Sequence, residues 1–124
     1  DEVIWFIDVA AQRVSYVSPA VERLWGVPAP ALYAGAQAWT HAIHPQDAQH
    51  AADEMKQLRS GAIDDLTAEF RIVRPDGDER WILNRAKAVR DATGAVVKII
   101  SVTRDITERK QARLALAQLN AELE

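Results

Sequence analysis

Three histidines, His41, His44 and His50, fall within ten residues of one another, and the carboxylates Asp8, Asp47 and Glu69 are spread through the first seventy. A histidine can ligate haem or zinc, and a carboxylate paired with a base can move protons. The pattern supports neither chemistry. The chain has no cysteine, which removes disulfides, thiolate metal sites and cysteine nucleophiles together. No carboxylate or thiolate spacing completes a zinc site with the histidines. His44 belongs to His44-Pro45-Gln46-Asp47, which reads as the start of a helix, with Pro45 at its first position and Asp47 placed to accept a free N–H. His50 lies one turn further, off the expected buried stripe of Ala48, Ala51, Ala52 and Met55, and so faces outward. Asp8 reads as a turn residue and Glu69 as a wet-face strand residue. No nucleophile, base and orienter can be assembled, so the chain reads as non-catalytic.

The polar residue with the most to explain is Asn84. Residues 80–90 divide into two rows, Ile82, Asn84, Ala86 and Ala88 against Trp81, Leu83, Arg85, Lys87 and Val89. The two basic residues mark the second row as outward and turn Asn84 inward. A buried amide needs partners from protein, water or a ligand. Ser101 and Thr103 share an inward row with Val97 and Ile99. Trp81 and Leu83 fall on the outward row, which calls for a cover: a preceding segment, the last helix or a second subunit.

The elements that position these residues follow from pattern. Residues 3–9 (VIWFIDV) and 14–17 read as a hairpin of strands. Ser18-Pro19 reads as a helix start for the face Val21, Leu24 and Trp25, stopped by Gly26. Short helical turns follow in 28–35 and around Trp39 and Ile43, then the helix from Pro45 to Ser60-Gly61. Leu66, Ala68, Phe70 and Ile72 alternate with Thr67, Glu69 and Arg71, so Phe70 is buried and Arg71 replaceable at little cost. Turns at Arg74-Pro75-Asp76-Gly77 and Asp91–Gly94 separate this strand from 80–90 and from a last strand, 96–102. Asp105, three residues ahead of Glu108, reads as a capping box opening a final helix. There Leu116, Leu119 and Leu123 keep the spacing of a coiled-coil seam. The class is α+β, an antiparallel sheet with helices on one face.

Composition agrees with one domain: 124 residues, 48% hydrophobic, 27% charged, net charge -3. That balance gives no footprint for nucleic acid or a membrane surface, and no apolar run reaches the length of a span. The chain opens on Asp1-Glu2 without a Met, and reads as a piece of a longer cytoplasmic protein.

Tyr16-Val17-Ser18-Pro19-Ala20, Leu24-Trp25-Gly26, His44-Pro45-Gln46-Asp47, Phe70-Arg71 with Asp76-Gly77 and Arg80-Trp81, and Asp105-Ile106-Thr107-Glu108-Arg109-Lys110 occur in that order. In this order they resemble a PAS domain closed by the D-I-T-E-R-K motif of bacterial members. The resemblance implies a five-stranded antiparallel sheet packed on short helices around a ligand cavity. It divides the chain into a sensory domain, 1–106, and a signalling helix, 107–124. It implies a parent such as a histidine kinase or diguanylate cyclase, a homodimer, and a small ligand or partner whose state is relayed by Asp105, Thr107 and Arg109. Cavity candidates are Trp39, Ile43, Met55, Phe70, Asn84, Ala86, Ser101 and Thr103. Trp81 and Leu83 join the helix leucines as dimer candidates. The rivals are a ligand-free scaffold that dimerises and a haem sensor using His50. Gly35–Trp39 aligns with the flavin-sensor motif G-x-N-C-R with Ala38 at the reactive cysteine, and Thr103 replaces the ring-contacting glutamine. A cysteinyl adduct is thus closed, and no cofactor is expected.

Overall fold

Alternating apolar residues build the sheet, and Gly, Pro and Asp punctuate it. The computed structural model describes residues 2–35 and 37–123. Ala36, inside the segment aligned with the flavin motif, lies outside the described residues with Asp1, Glu124 and the side chains of Gln37 and Ala38. The order is β1 (Glu2–Asp8), β2 (Arg13–Val17), α1 (Val21–Trp25), α2 (Ala29–Ala34), α3 (Gln37–Thr40), α4 (Pro45–Ser60), β3 (Asp65–Val73), β4 (Glu79–Arg90), β5 (Val96–Asp105) and α5 (Thr107–Leu123). The strands form one five-stranded antiparallel sheet in the order β2-β1-β5-β4-β3. This is the expected α+β class.

One face of the sheet carries the core. Val3, Trp5, Phe70, Ile72 and Ile82 meet Val21, Leu24, Trp25 and Leu32 from the short helices. A second cluster joins Met55 and Leu58 of α4 to Ala86 and Ile99. The inward rows hold for Phe70, Ile82, Asn84, Ala86, Ser101 and Thr103, all buried, but Val97 at the start of β5 is 42% exposed and Leu83 on the outward row is buried. Gly77 takes φ 89° in the β3–β4 turn, a conformation costly for any residue with a Cβ.

Several local expectations give way to other partners. Ser18 does not cap α1: its Oγ accepts from Ile4 N at 2.9 Å while its own N–H donates to Ile4 O, so it pins the hairpin, and the helix starts at Val21. Asp47 spends its carboxylate on Arg71, taking the backbone N–H at 2.8 Å and the guanidinium at 2.9 Å, and the free N–H of Gln46 goes to His44 Nδ1 instead. Arg71 is therefore an anchor between β3 and α4, although it lies on the wet row. On α4 Ala52 is exposed and Leu58 is sealed, so the inward stripe runs through Ala51, Met55 and Leu58 at spacings of four and three. Ile43 stands outside α3, in an isolated bridge to Ile72. β5 continues past Val102 to Asp105, held by pairing with both β1 and β4. Asp105 is one residue too early for a capping box. Its Oδ1 accepts from Thr107 N at 2.8 Å, and Oδ2 accepts from Arg80, so neither Arg104 nor Arg109 is its partner.

Candidate functional site

Between the sheet and α1, α3 and α4 lies a partly open pocket of about 40 Å³. A water needs roughly 10–15 Å³ of such space, so about three fit. Its walls are aromatic. Trp5 packs edge-on against Trp25 with ring centroids 5.1 Å apart, Trp39 lies 6.2 Å from Trp5, and Phe70 lies 6.4 Å from Trp25. Each pair is inclined, the geometry aromatic quadrupoles prefer. Trp5 and Ile7 alternate along β1 on the inward row that begins with Val3, which makes Trp5 legible from sequence in hindsight.

The floor is polar. Trp5 Nε1 donates to Thr103 Oγ1 at 2.9 Å, and Ser101 Oγ donates to Asn84 Oδ1. Asn84 is 8% exposed. The other end of its amide has no partner among the described residues, and no sealed side-chain polar atom there lacks one. That end therefore opens on the cavity, which Asn84 lines. Among the described residues the lining has no lysine or arginine, and its single carboxylate is the partly exposed Glu54.

Seven candidates, Trp39, Ile43, Met55, Phe70, Asn84, Ser101 and Thr103, line this space. Ala86 does not: it is buried one step along β4, in the cluster with Leu58 and Ile99. Trp5, Trp25 and Glu54 join the lining without having been singled out. His50 points away, its side chain 80% exposed and its Nε2 3.4 Å from Glu54. Among the described residues no group of His, Asp and Glu could hold a metal ion. Asp8 accepts from Ala11 N in its turn, and Glu69 pairs with Lys110 at 2.7 Å.

The junction with α5 is tied to the same strands. Asn84 pairs with Thr103 across β4 and β5, and one step on Ile82 pairs with Asp105, about 7 Å along the strand. Arg80 Nε donates to Asp105 at 2.8 Å, Trp81 N donates to Thr107 Oγ1 at 2.8 Å, and Ile106 N donates to Trp81 O at 2.9 Å. Lys110 sits 4.5 Å over the Trp81 ring and Arg71 5.3 Å from it. The first turn of α5 thus supplies part of the cover that Trp81 required, while Leu83 is buried beside it. Arg109 is exposed. Burial works against the Asp105 carboxylate, but hydrogen bonds from Thr107 and Arg80 outweigh it and hold its pKa below the usual value. Beyond that turn α5 is solvated: Leu116, Leu119 and Leu123 are 59%, 52% and 77% exposed.

The sheet order, the helical layer and the pocket between them define the α+β architecture expected from the sequence motifs. The PAS fold family profile matches residues 14–103, and the chain belongs to that family. It is 30% identical over 121 residues, 97% of its length, to the uncharacterized protein y4lL of Sinorhizobium fredii. It is 26% identical over 111 residues, 90% of its length, to the methyl sulfide methyltransferase-associated sensor of Methanosarcina acetivorans. It spans only 14% and 11% of those two proteins. Among solved structures, the N-terminal domain of a diguanylate cyclase with PAS/PAC sensor from Marinobacter aquaeolei superposes with TM-score 0.81 at 24% identity, covering 89% of this chain and 99% of that one. An RNA-binding light-oxygen-voltage receptor superposes with TM-score 0.77 at 27% identity, covering 97% and 34%.

Proposed function

We propose that this chain is the sensory module of a larger signalling protein, of histidine kinase or diguanylate cyclase type. Its cavity takes a small, uncharged, oxygen-bearing molecule, and β4 and β5 relay occupancy to α5 through Asp105 and Thr107. The observation that carries this reading is the unpaired amide end of Asn84, in an aromatic cavity one register step from the junction. An acceptor atom on the ligand would complete that amide, and the indoles would enclose its few carbons. With no cation in the lining and Glu54 at its edge, a carboxylate ligand would be left unpaired. A space of about 40 Å³ favours neither haem nor flavin, and no chromophore is expected: the purified chain should absorb only in the Trp and Tyr bands, and a Soret or flavin band surviving gel filtration would overturn that part. Its similarity to a methyl sulfide methyltransferase-associated sensor and to a domain of a diguanylate cyclase with PAS/PAC sensor supports the signalling role.

Native mass spectrometry, with small amides, ketones and alcohols set beside short carboxylates, tests the ligand. Binding of the neutral set is expected, lost in the double variant Asn84→Leu with Ser101→Ala, whose thermal melt should stay close to the parent's. Failure of every compound in both sets would remove the ligand sensor. The small volume specifically supports one second reading, a scaffold whose input is a partner domain and whose exposed leucines dimerise.

A further inference from the structure

Five of the chain's eleven arginines converge on one depression where α5 leaves the sheet. The chain as a whole carries net charge -3, so this is a local reversal of sign. Arg23, Arg74, Arg80, Arg104 and Arg109 line a space of about 430 Å³, within the size range of small-molecule sites. Two of them are set in place by the fold. Arg74 donates to the carbonyls of Arg23 at 2.7 Å and Leu24 at 3.0 Å, and Arg80 donates to Asp105. The side chains of Arg104 and Arg109 are exposed, with no ion pair or hydrogen bond among the described residues. Arg109 acts on Glu69 only through space. The carboxylates Asp78, Asp105 and Glu108 offset part of the charge. The first turn of α5, a helix of 17 residues, adds its positive end to the same place.

A guanidinium suits the oxygens of a phosphate, which it binds bidentately, and Arg104 and Arg109 offer theirs beside Arg74 and Arg80, which the fold holds in place. We infer that this depression is a second binding site, for a phosphate-bearing small molecule of nucleotide size. The charge is confined to one hollow rather than drawn out in a stripe, which disfavours nucleic acid. A phosphate held by Arg104 of β5 and Arg109 of α5 would cross-link the two elements beside the Arg80–Asp105 pair. It would thereby hold the first turn of the outgoing helix to the sheet, independently of what fills the aromatic pocket.

Calorimetry on the 124-residue chain with pyrophosphate, and separately with ATP, at fixed ionic strength tests this. Saturable binding of at least one is expected; pyrophosphate alone would identify free phosphate as the ligand chemistry, and tighter ATP binding a nucleotide. Arg104→Ala with Arg109→Ala should weaken binding at least tenfold, while Arg85→Ala with Lys87→Ala, a matched charge loss on the outer sheet face, should leave it unchanged. Bound pyrophosphate should also slow amide exchange at residues 107–111. The inference falls if neither probe saturates, if sulfate binds as well at the same ionic strength, or if the two double variants behave alike. Should the first double variant lose its fold, Arg104→Gln and Arg109→Gln singly must each weaken binding for the site to stand.

Discussion

Asp47 and Asp105 do at residue scale what holds the layers in register. The Arg71 hydrogen bond keeps the Asp47 carboxyl below its ordinary 3.8, burial opposing. For Asp105, burial is outweighed by Thr107 and Arg80. Folded pKa values below the unfolded ones mean that both contributions are present in full above about pH 4 and are lost as the pH falls through the native values. Denaturant midpoints measured from pH 7 to 3 should therefore drop steeply below pH 4, and Asp47→Asn with Asp105→Asn should flatten that drop. An unchanged slope would show that other carboxylates dominate. Phe70→Ala, in the wall of the cavity, should cost roughly 3–5 kcal/mol. Arg71→Ala should lower the midpoint clearly more than Arg85→Ala does, because it releases Asp47 and uncovers Trp81 as well.

At the scale of elements, the link between the sheet and α5 depends on a few side-chain bonds rather than on an extensive apolar seam. Asp105→Ala should cost about 2 kcal/mol, since it removes one charged hydrogen-bond pair and one backbone partner. Native stability is typically about 5–15 kcal/mol, so the sheet should survive. Hydrogen exchange should show amides 107–111 losing protection while those of β4 and β5 keep theirs. Equal loss in both would make Asp105 a residue of the fold and not of the link. Gly61, which ends α4 at φ 83°, is a second element-scale site. A Cβ there would meet Arg90 Nη1 at 2.9 Å, the guanidinium that bridges to Gly61 O and Asp64. Gly61→Ala should destabilise by about 1 kcal/mol or more, read in a thermal melt.

For the whole molecule, the leucines on the outward half of α5 are exposed, with no apolar partner among the described residues. Removing residues 112–124 should leave the melting temperature of the domain almost unchanged. The intact chain should sediment with a concentration-dependent dimer component, and Leu116→Ser with Leu119→Ser and Leu123→Ser should abolish it. A monomer at all concentrations would show that these leucines do not dimerise the isolated chain, and a triple variant that still dimerises would move the interface off α5.

Periodicity alone determined much of this protein. Strand alternation put Phe70, Asn84, Ser101 and Thr103 on one inward face, and Pro45, Gly61 and Gly77 marked their breaks, because these signals are local in the chain. The PAS family was legible in the order of its short motifs. What only the tertiary structure decided are the pairings between distant segments. Asp47 lies 24 residues from Arg71 and Asp105 lies 25 from Arg80, and no local rule ranks such partners above a neighbouring N–H or arginine. Asp47 thus reads as a helix cap and Asp105 as a capping box until the strands are laid side by side. The cavity volume is likewise a remainder, the space three indoles leave when sheet and helices close on them. Ala86 misses that space by one step of register, and Trp5 enters it from a strand 98 residues from Thr103.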